Sequence, residues 1–175
     1  MSYDFRADTI LGPAFAYWQA KCGARAMPRR ADIDPSEMIP LLPHLQITEL
    51  VDGGARVRYR LVGTGIVAAY GAELTGKYFD EVFSGDRLHF VEDNYRLMCR
   101  ERRPILVGNR YVSRKDIELF CYRVVMPLSE DGATVNQALT AMSFKYPDEA
   151  SQLQGQWLGD RRGLDRDSAF CEVIR

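Results

Sequence analysis

The tightest constraint on the fold comes from Arg56 to Leu61, where arginines at 56, 58 and 60 alternate with Val57, Tyr59 and Leu61. A period of two marks a strand with one wet face and one buried face, and such strands belong to antiparallel sheets. Leu45 to Val51 is a second apolar, β-branched run, and Asp52, Gly53 and Gly54 between the two supply the positive φ angles of a tight hairpin. Beyond Val62, Gly63-Thr64-Gly65 lets the backbone turn, and Ile66 to Tyr70 has the content of a short helix that Gly71 stops. The chain therefore opens its core with a hairpin and continues into helices.

Gly76 to Phe83 reads as a short aromatic-rich helix, and Ser84 or Asp86 can cap the longest helix, roughly Arg87 to Arg102. Leu88, Val91, Tyr95, Met98 and Cys99 recur there at spacings of three and four, and Pro104 ends it. Three strands follow, Ile105–Ser113, Ile117–Leu128 and Asn136–Tyr146, linked by Arg114-Lys115-Asp116 and by the turn formers Ser129 to Ala133. The expected fold is α+β. A five-stranded antiparallel sheet in the order ββ, helices, βββ carries helices on one face, with an N-terminal helix added.

That N-terminal helix, within Thr9 to Ala26, carries an apolar stripe of Ile10, Leu11, Ala14, Tyr17 and Trp18. Two destinations are open to it: the sheet of its own subunit, or a twin helix in a homodimer through Leu11, Phe15 and Trp18. Pro28 to Pro43 holds four prolines and reads as a connector, with one helical turn begun by Asp34, Pro35, Ser36 and Glu37. Beyond Pro147 the chain turns polar, with scattered anchors at Leu153, Trp157, Leu158 and Leu164. It is either an amphipathic tail packed on the domain or an extension that orders on a partner. The expected organisation is residues 1–43 as helix and connector, 44–146 as the domain, and 147–175 as a polar tail.

Composition narrows the function. With 46% hydrophobic residues and 23 basic against 24 acidic side chains, the chain is globular and nearly neutral. No global field draws it to nucleic acid or anionic lipid. No apolar run approaches the ~20 residues of a membrane span, and the acidic, polar start does not resemble a signal peptide, so a cytoplasmic location is expected. Cys22, Cys99, Cys121 and Cys171 form no Cys-x-x-Cys pair, which disfavours structural zinc and redox chemistry. Gly63, Gly65 and Ala68 match a dinucleotide-binding spacing, but a strand with three arginines is not the buried parallel strand that such a site requires.

Five strings carry a resemblance. Tyr70 to Lys77 (YGAELTGK) is similar to a turn of the PAS superfamily of sensor domains. Tyr17-Trp18, Pro28 to Pro35 (PRRADIDP), Arg58 to Thr64 (RYRLVGT) and Met126 to Gly132 (MPLSEDG) resemble a bacterial subfamily of stand-alone PAS-like proteins. The resemblance spans about residues 10–146. It implies a half-barrel fold, non-enzymatic signal transduction, a small organic ligand or a protein partner, and a helix that pairs in a dimer. It matches no ligand-contacting residue in Gly65 to Ala69. No fused output domain is expected, and output should pass through a protein partner.

The expected ligand site is a cavity between sheet and helices, lined by Tyr59, Tyr70, Phe79, Tyr95, Tyr111 and Tyr122, with Phe120 beside them. Arg123 or Arg110 would anchor an anion there. The competing reading gives these aromatics to ordinary core packing, which leaves an interaction domain with a filled core. No cofactor is assigned. A flavin of the Asn-Cys-Arg type is disfavoured because Met98 precedes Cys99, and haem ligation by His89 is disfavoured against a surface histidine beside Asp86 and Asp93. A third reading, a cavity enzyme, would need His89 as its proton carrier.

Overall fold

A computed structural model describes residues 3–112, 118–145 and 169–175 of the 175-residue chain. The hairpin forms as the alternation requires: β1 (Leu45–Val51) pairs antiparallel with β2 (Arg56–Val62) across a turn at Asp52–Gly54. Val57 and Tyr59 are buried on one face. On the other, Arg58 meets Glu49 at 2.5 Å and Arg56 meets Asp80 at 2.7 Å, so the charges stay in water and are paired.

Three helices follow: α2 (Thr64–Tyr70), α3 (Phe79–Val82) and α4 (Gly85–Glu101). Gly71 ends α2 in the left-handed region at φ 68°, returning its N–H to Val67. The YGAELTGK turn then docks on the edge of β2 through two backbone bonds, Gly76 N–H to the Tyr59 carbonyl and Tyr59 N–H to the Lys77 carbonyl. Leu74 is buried beneath it.

Next come β3 (Ile105–Val112), β4 (Glu118–Leu128) and β5 (Gln137–Lys145). The link expected at 114–116 lies outside the described residues. Among the described residues the sheet has six antiparallel strands in the order β2-β1-β5-β4-β3-β6. The five expected strands appear with their expected connectivity. The sixth, β6 (Phe170–Val173), comes from the segment read as a polar tail and closes the free edge of β3. Leu153, Trp157, Leu158 and Leu164 lie outside the described residues.

Helix α1 (Leu11–Cys22) resolves the two destinations of the N-terminal stripe. Leu11, Phe15 and Trp18, expected as dimer contacts, are 0%, 4% and 5% exposed and pack on the sheet of their own chain. The cause is the sheet's second apolar face, where Leu106, Phe120, Tyr122, Val124 and Met126 alternate with the inner-face residues and need cover. Trp18 Nε1 also donates to the Pro127 carbonyl at 3.0 Å. Two cores result: one under α1, the other under α2–α4.

The proline-rich connector holds to the exposed side of α1. Tyr17 Oη accepts from Asp34 N–H at 2.8 Å and donates to Glu37 at 2.8 Å, while Lys21 pairs with Glu37 at 2.6 Å. Asp34 caps the helical turn at Pro35 by accepting from Ser36 N–H.

Strand β6 seats on a glycine. Gly108 pairs with Phe170, and a Cβ at Gly108 would lie 2.2 Å from a carbon of the Phe170 ring. Gly108→Val should expel that ring and release residues 170–173 at a cost of about 1–3 kcal/mol. Hydrogen exchange at Cys171 and Val173 should accelerate while β4 and β5 stay protected. Unchanged protection of the Val173 amide would show that Phe170 does not hold the strand.

Candidate functional site

Strand parity decides which side chains face the helices. On β4, Cys121, Arg123 and Val125 point to the α2–α4 side, and Phe120, Tyr122 and Val124 to the α1 side. On β5, Thr140 and Met142 share the inner face, joined from β1 by Gln46, which sits directly opposite Thr140. Helix α4 presents Val91, Asn94 and Tyr95 to the same space, spaced by three and four residues.

Between them lies a cavity of about 20 Å³, walled also by Tyr59, Tyr70, Phe79 and Phe83. That is room for roughly one water molecule. Phe79 packs edge-on to Tyr95 with centroids 5.1 Å apart and tilts over Tyr59 at 4.9 Å. Tyr95 Oη and Thr48 Oγ1 share a hydrogen bond of 2.9 Å, and burial pushes the Tyr95 phenol above its ordinary pKa.

Five of the expected ligand residues therefore meet: Tyr59, Tyr70, Phe79, Tyr95 and Arg123. Tyr122 does not. It lies on the opposite face, its ring stacked on Tyr3 at 3.6 Å and tilted against Phe120 at 4.4 Å, because β4 alternates and Arg123 takes the inner side. Arg110 pairs with Phe120 across β3 and β4 and shares the parity of Leu106, which faces α1, so Arg123 is the inward arginine. Tyr111 is the penultimate residue of β3, and its side chain lies outside what the structure describes.

Among the lining residues that the sequence reading missed, three are polar and buried: Gln46, Asn94 and Thr140, respectively 6%, 4% and 0% exposed. Their signal was available. Gln46 interrupts an apolar strand at an inward position, and Asn94 falls three residues after Val91 on the buried stripe of α4. Among the described residues, Asn94 Nδ2 and Arg123 Nη2 have no hydrogen-bond partner, while Thr140 Oγ1 reaches only the Tyr95 phenol. Native cores rarely leave such groups unsatisfied.

Outside this cavity lies a larger cleft of about 380 Å³, between the β1–β2 turn, α4 and residues 133–135. Tyr95 lines both spaces and forms the wall between them. Cys99 lines the outer cleft, and burial pushes its thiol up to about 11, which leaves it protonated at neutral pH. His89 is exposed and lines neither space. Among the described residues, no group of three His, Cys, Asp or Glu is placed to hold a metal ion, and no helix is long and apolar enough to cross a membrane.

An antiparallel sheet in the order 2-1-5-4-3, its second and third strands joined by helices that cross one face over a small polar cavity, is the fold of a PAS-like sensor domain. The family described as PAS domain matches residues 9–143, and the chain belongs to it. Among solved structures, a light-oxygen-voltage domain studied with a flavin analogue aligns with a TM-score of 0.52 at 9% identity. It covers 67% of this chain and 88% of that one. A LOV protein of Rhodobacter sphaeroides aligns at 0.50 with 12% identity, covering 68% and 72%. At such identities these likenesses show the fold alone. No curated protein is a significant match.

The residues present do not fit a flavin. Met98 stands where an Asn-Cys-Arg setting needs asparagine, Cys99 faces the outer cleft, and the inner cavity has no room for a three-ring system.

Proposed function

We propose that the chain is a non-enzymatic sensory module that binds a small ligand in the inner cavity and passes the event to a protein partner. The observation that carries this reading is the convergence of buried polar groups on one space between sheet and helices, where Asn94 Nδ2 and Arg123 Nη2 have no hydrogen-bond partner among the described residues and Thr140 and Gln46 reach only the Tyr95 phenol. Hydrogen-bonding capacity left open inside a core is what a polar ligand would complete. Among the described residues the lining offers positioning and charge but holds no histidine, cysteine or carboxylate to act as nucleophile or proton carrier, which supports binding over turnover. Signalling in the cytoplasm and self-association belong to the same proposal. With Leu11, Phe15 and Trp18 buried in their own chain, self-association falls to other surfaces.

A second reading, an interaction domain with a filled core, draws on the small volume of the inner cavity, about 20 Å³. Native mass spectrometry of gently purified protein separates the two. A mass excess lost on denaturation, and lost again in an Arg123→Met variant, is expected for the sensor. A protein that stays at its bare mass and gains none from a metabolite extract would favour the interaction domain.

A further inference from the structure

Among the described residues, the inner cavity holds a buried cation with no anion. Arg123 is 8% exposed, and its Nη2 has no hydrogen-bond partner. Its guanidinium carbon lies 6.0 Å from the Phe90 ring, and its charge acts on Tyr95, Cys121 and Cys171, none of them an anion at neutral pH. No Asp or Glu among the described residues lines the cavity. A buried lysine or histidine could shed its proton, but a guanidinium keeps its charge at any pH a protein survives. A fixed charge in a core is costly unless paired and hydrogen-bonded. The arrangement is complete only when an acceptor with negative charge enters.

From this we infer that the sensed ligand is a short-chain monocarboxylate, with its carboxylate on the Arg123 guanidinium. This rests on the inner cavity being the sensor's ligand site. The planar fork of arginine matches the two oxygens of a carboxylate. Asn94 Nδ2 supplies a further donor beside the same head group, while Tyr59, Phe79 and Met142 offer an apolar wall to the alkyl chain. One guanidinium balances one carboxylate and leaves no second cation in the lining for a dianion. The inner cavity by itself holds about one water, so a carboxylate with its alkyl chain needs the space to extend past Tyr95 toward the outer cleft of about 380 Å³, which favours the shortest chains.

The test is a titration of the full chain with sodium acetate, propionate and butyrate against acetamide, propionamide and butyramide, at ionic strength fixed with sodium chloride. It is read from the Asn94 side-chain amide and the Arg123 Nε–H resonances. Carboxylates should shift both resonances saturably, and amides should do so at least tenfold more weakly. Arg123→Met should lower carboxylate affinity at least tenfold. Should that variant fail to fold, Arg123→Lys keeps a charge but loses the fork, and should weaken binding several-fold. Amides binding as well as carboxylates, or affinity indifferent to both substitutions at Arg123, would overturn the assignment. A neutral molecule recovered by native mass spectrometry would overturn the carboxylate yet uphold the sensor. No response to either series, with no co-purified mass, would overturn both.

Discussion

Trp18→Ala is expected to destabilise the protein by about 3–5 kcal/mol, the range for removing a large aromatic from a packed core. Trp18 is 5% exposed, lies nearly parallel to Phe15 with centroids 6.3 Å apart, and donates its indole N–H to the Pro127 carbonyl. Alanine would open a void between α1 and β4 and strand that carbonyl in an apolar setting. Trp18→Phe keeps most of the packing and loses the hydrogen bond, so a smaller loss of about 1–3 kcal/mol is expected. Urea denaturation measures both, and running it at two protein concentrations tests the alternative. If Trp18 instead met a second subunit, the wild-type midpoint would rise with concentration and the alanine variant would abolish that dependence.

The N-terminal stripe shows where sequence periodicity stops being informative. Leu11, Ala14, Phe15 and Trp18 specify a helix with one apolar face, but nothing in their spacing says whether that face meets its own sheet or another copy. The answer was distributed over β4 and β5, whose outward residues are as apolar as their inward ones: Phe120, Tyr122, Val124, Leu139 and Ala141 all need cover. A strand buried on both faces loses the alternation that marked Arg56 to Leu61. For the same reason the sequence reading put Tyr122 with the ligand residues, although its neighbour Arg123 alone faces the cavity.

Local signals worked where one face stayed wet or where glycine and proline fixed a turn, as in the hairpin, the end of α2 and the capped connector. Strand β6 escaped because Phe170 to Val173 is four residues long and gains its structure from the open edge of β3, not from its own pattern. Gln46, Asn94 and Thr140 are not marked by the aromatic pattern that points to the rest of the lining. The more telling feature is a polar residue in a position that periodicity assigns to the core.

Asp8 carries the second large effect. It caps α1 by accepting from Ile10 and Leu11 N–H at 2.8 and 2.9 Å, and it takes hydrogen bonds from Tyr3 Oη at 2.5 Å and Ser143 Oγ at 2.8 Å. Lys145 Nζ stands 3.3 Å away, and the carboxylate side chain is 1% exposed. One side chain thus ties the N-terminal segment, α1 and β5 together. Burial by itself would raise its pKa, but the donors from Tyr3, Leu11, Ile10 and Ser143 together outweigh burial and hold it at about 2, against 3.8 for a free carboxyl. An asparagine turns one acceptor into a donor facing other donors, so Asp8→Asn should cost about 3 kcal/mol at neutral pH. The depressed pKa adds a pH signature. A carboxylate whose folded pKa lies below its unfolded value contributes stability above the unfolded pKa and loses it as pH falls through the folded one. The gap between wild type and Asp8→Asn should therefore be constant from pH 7 to about 5 and narrow by about 2 kcal/mol between pH 4 and pH 2. Urea midpoints for both proteins across that range measure it. A gap that does not change with pH would mean that Asp8 has the same pKa in the folded and unfolded chains, so that its donors and the Lys145 pair add nothing to the stability of its charge.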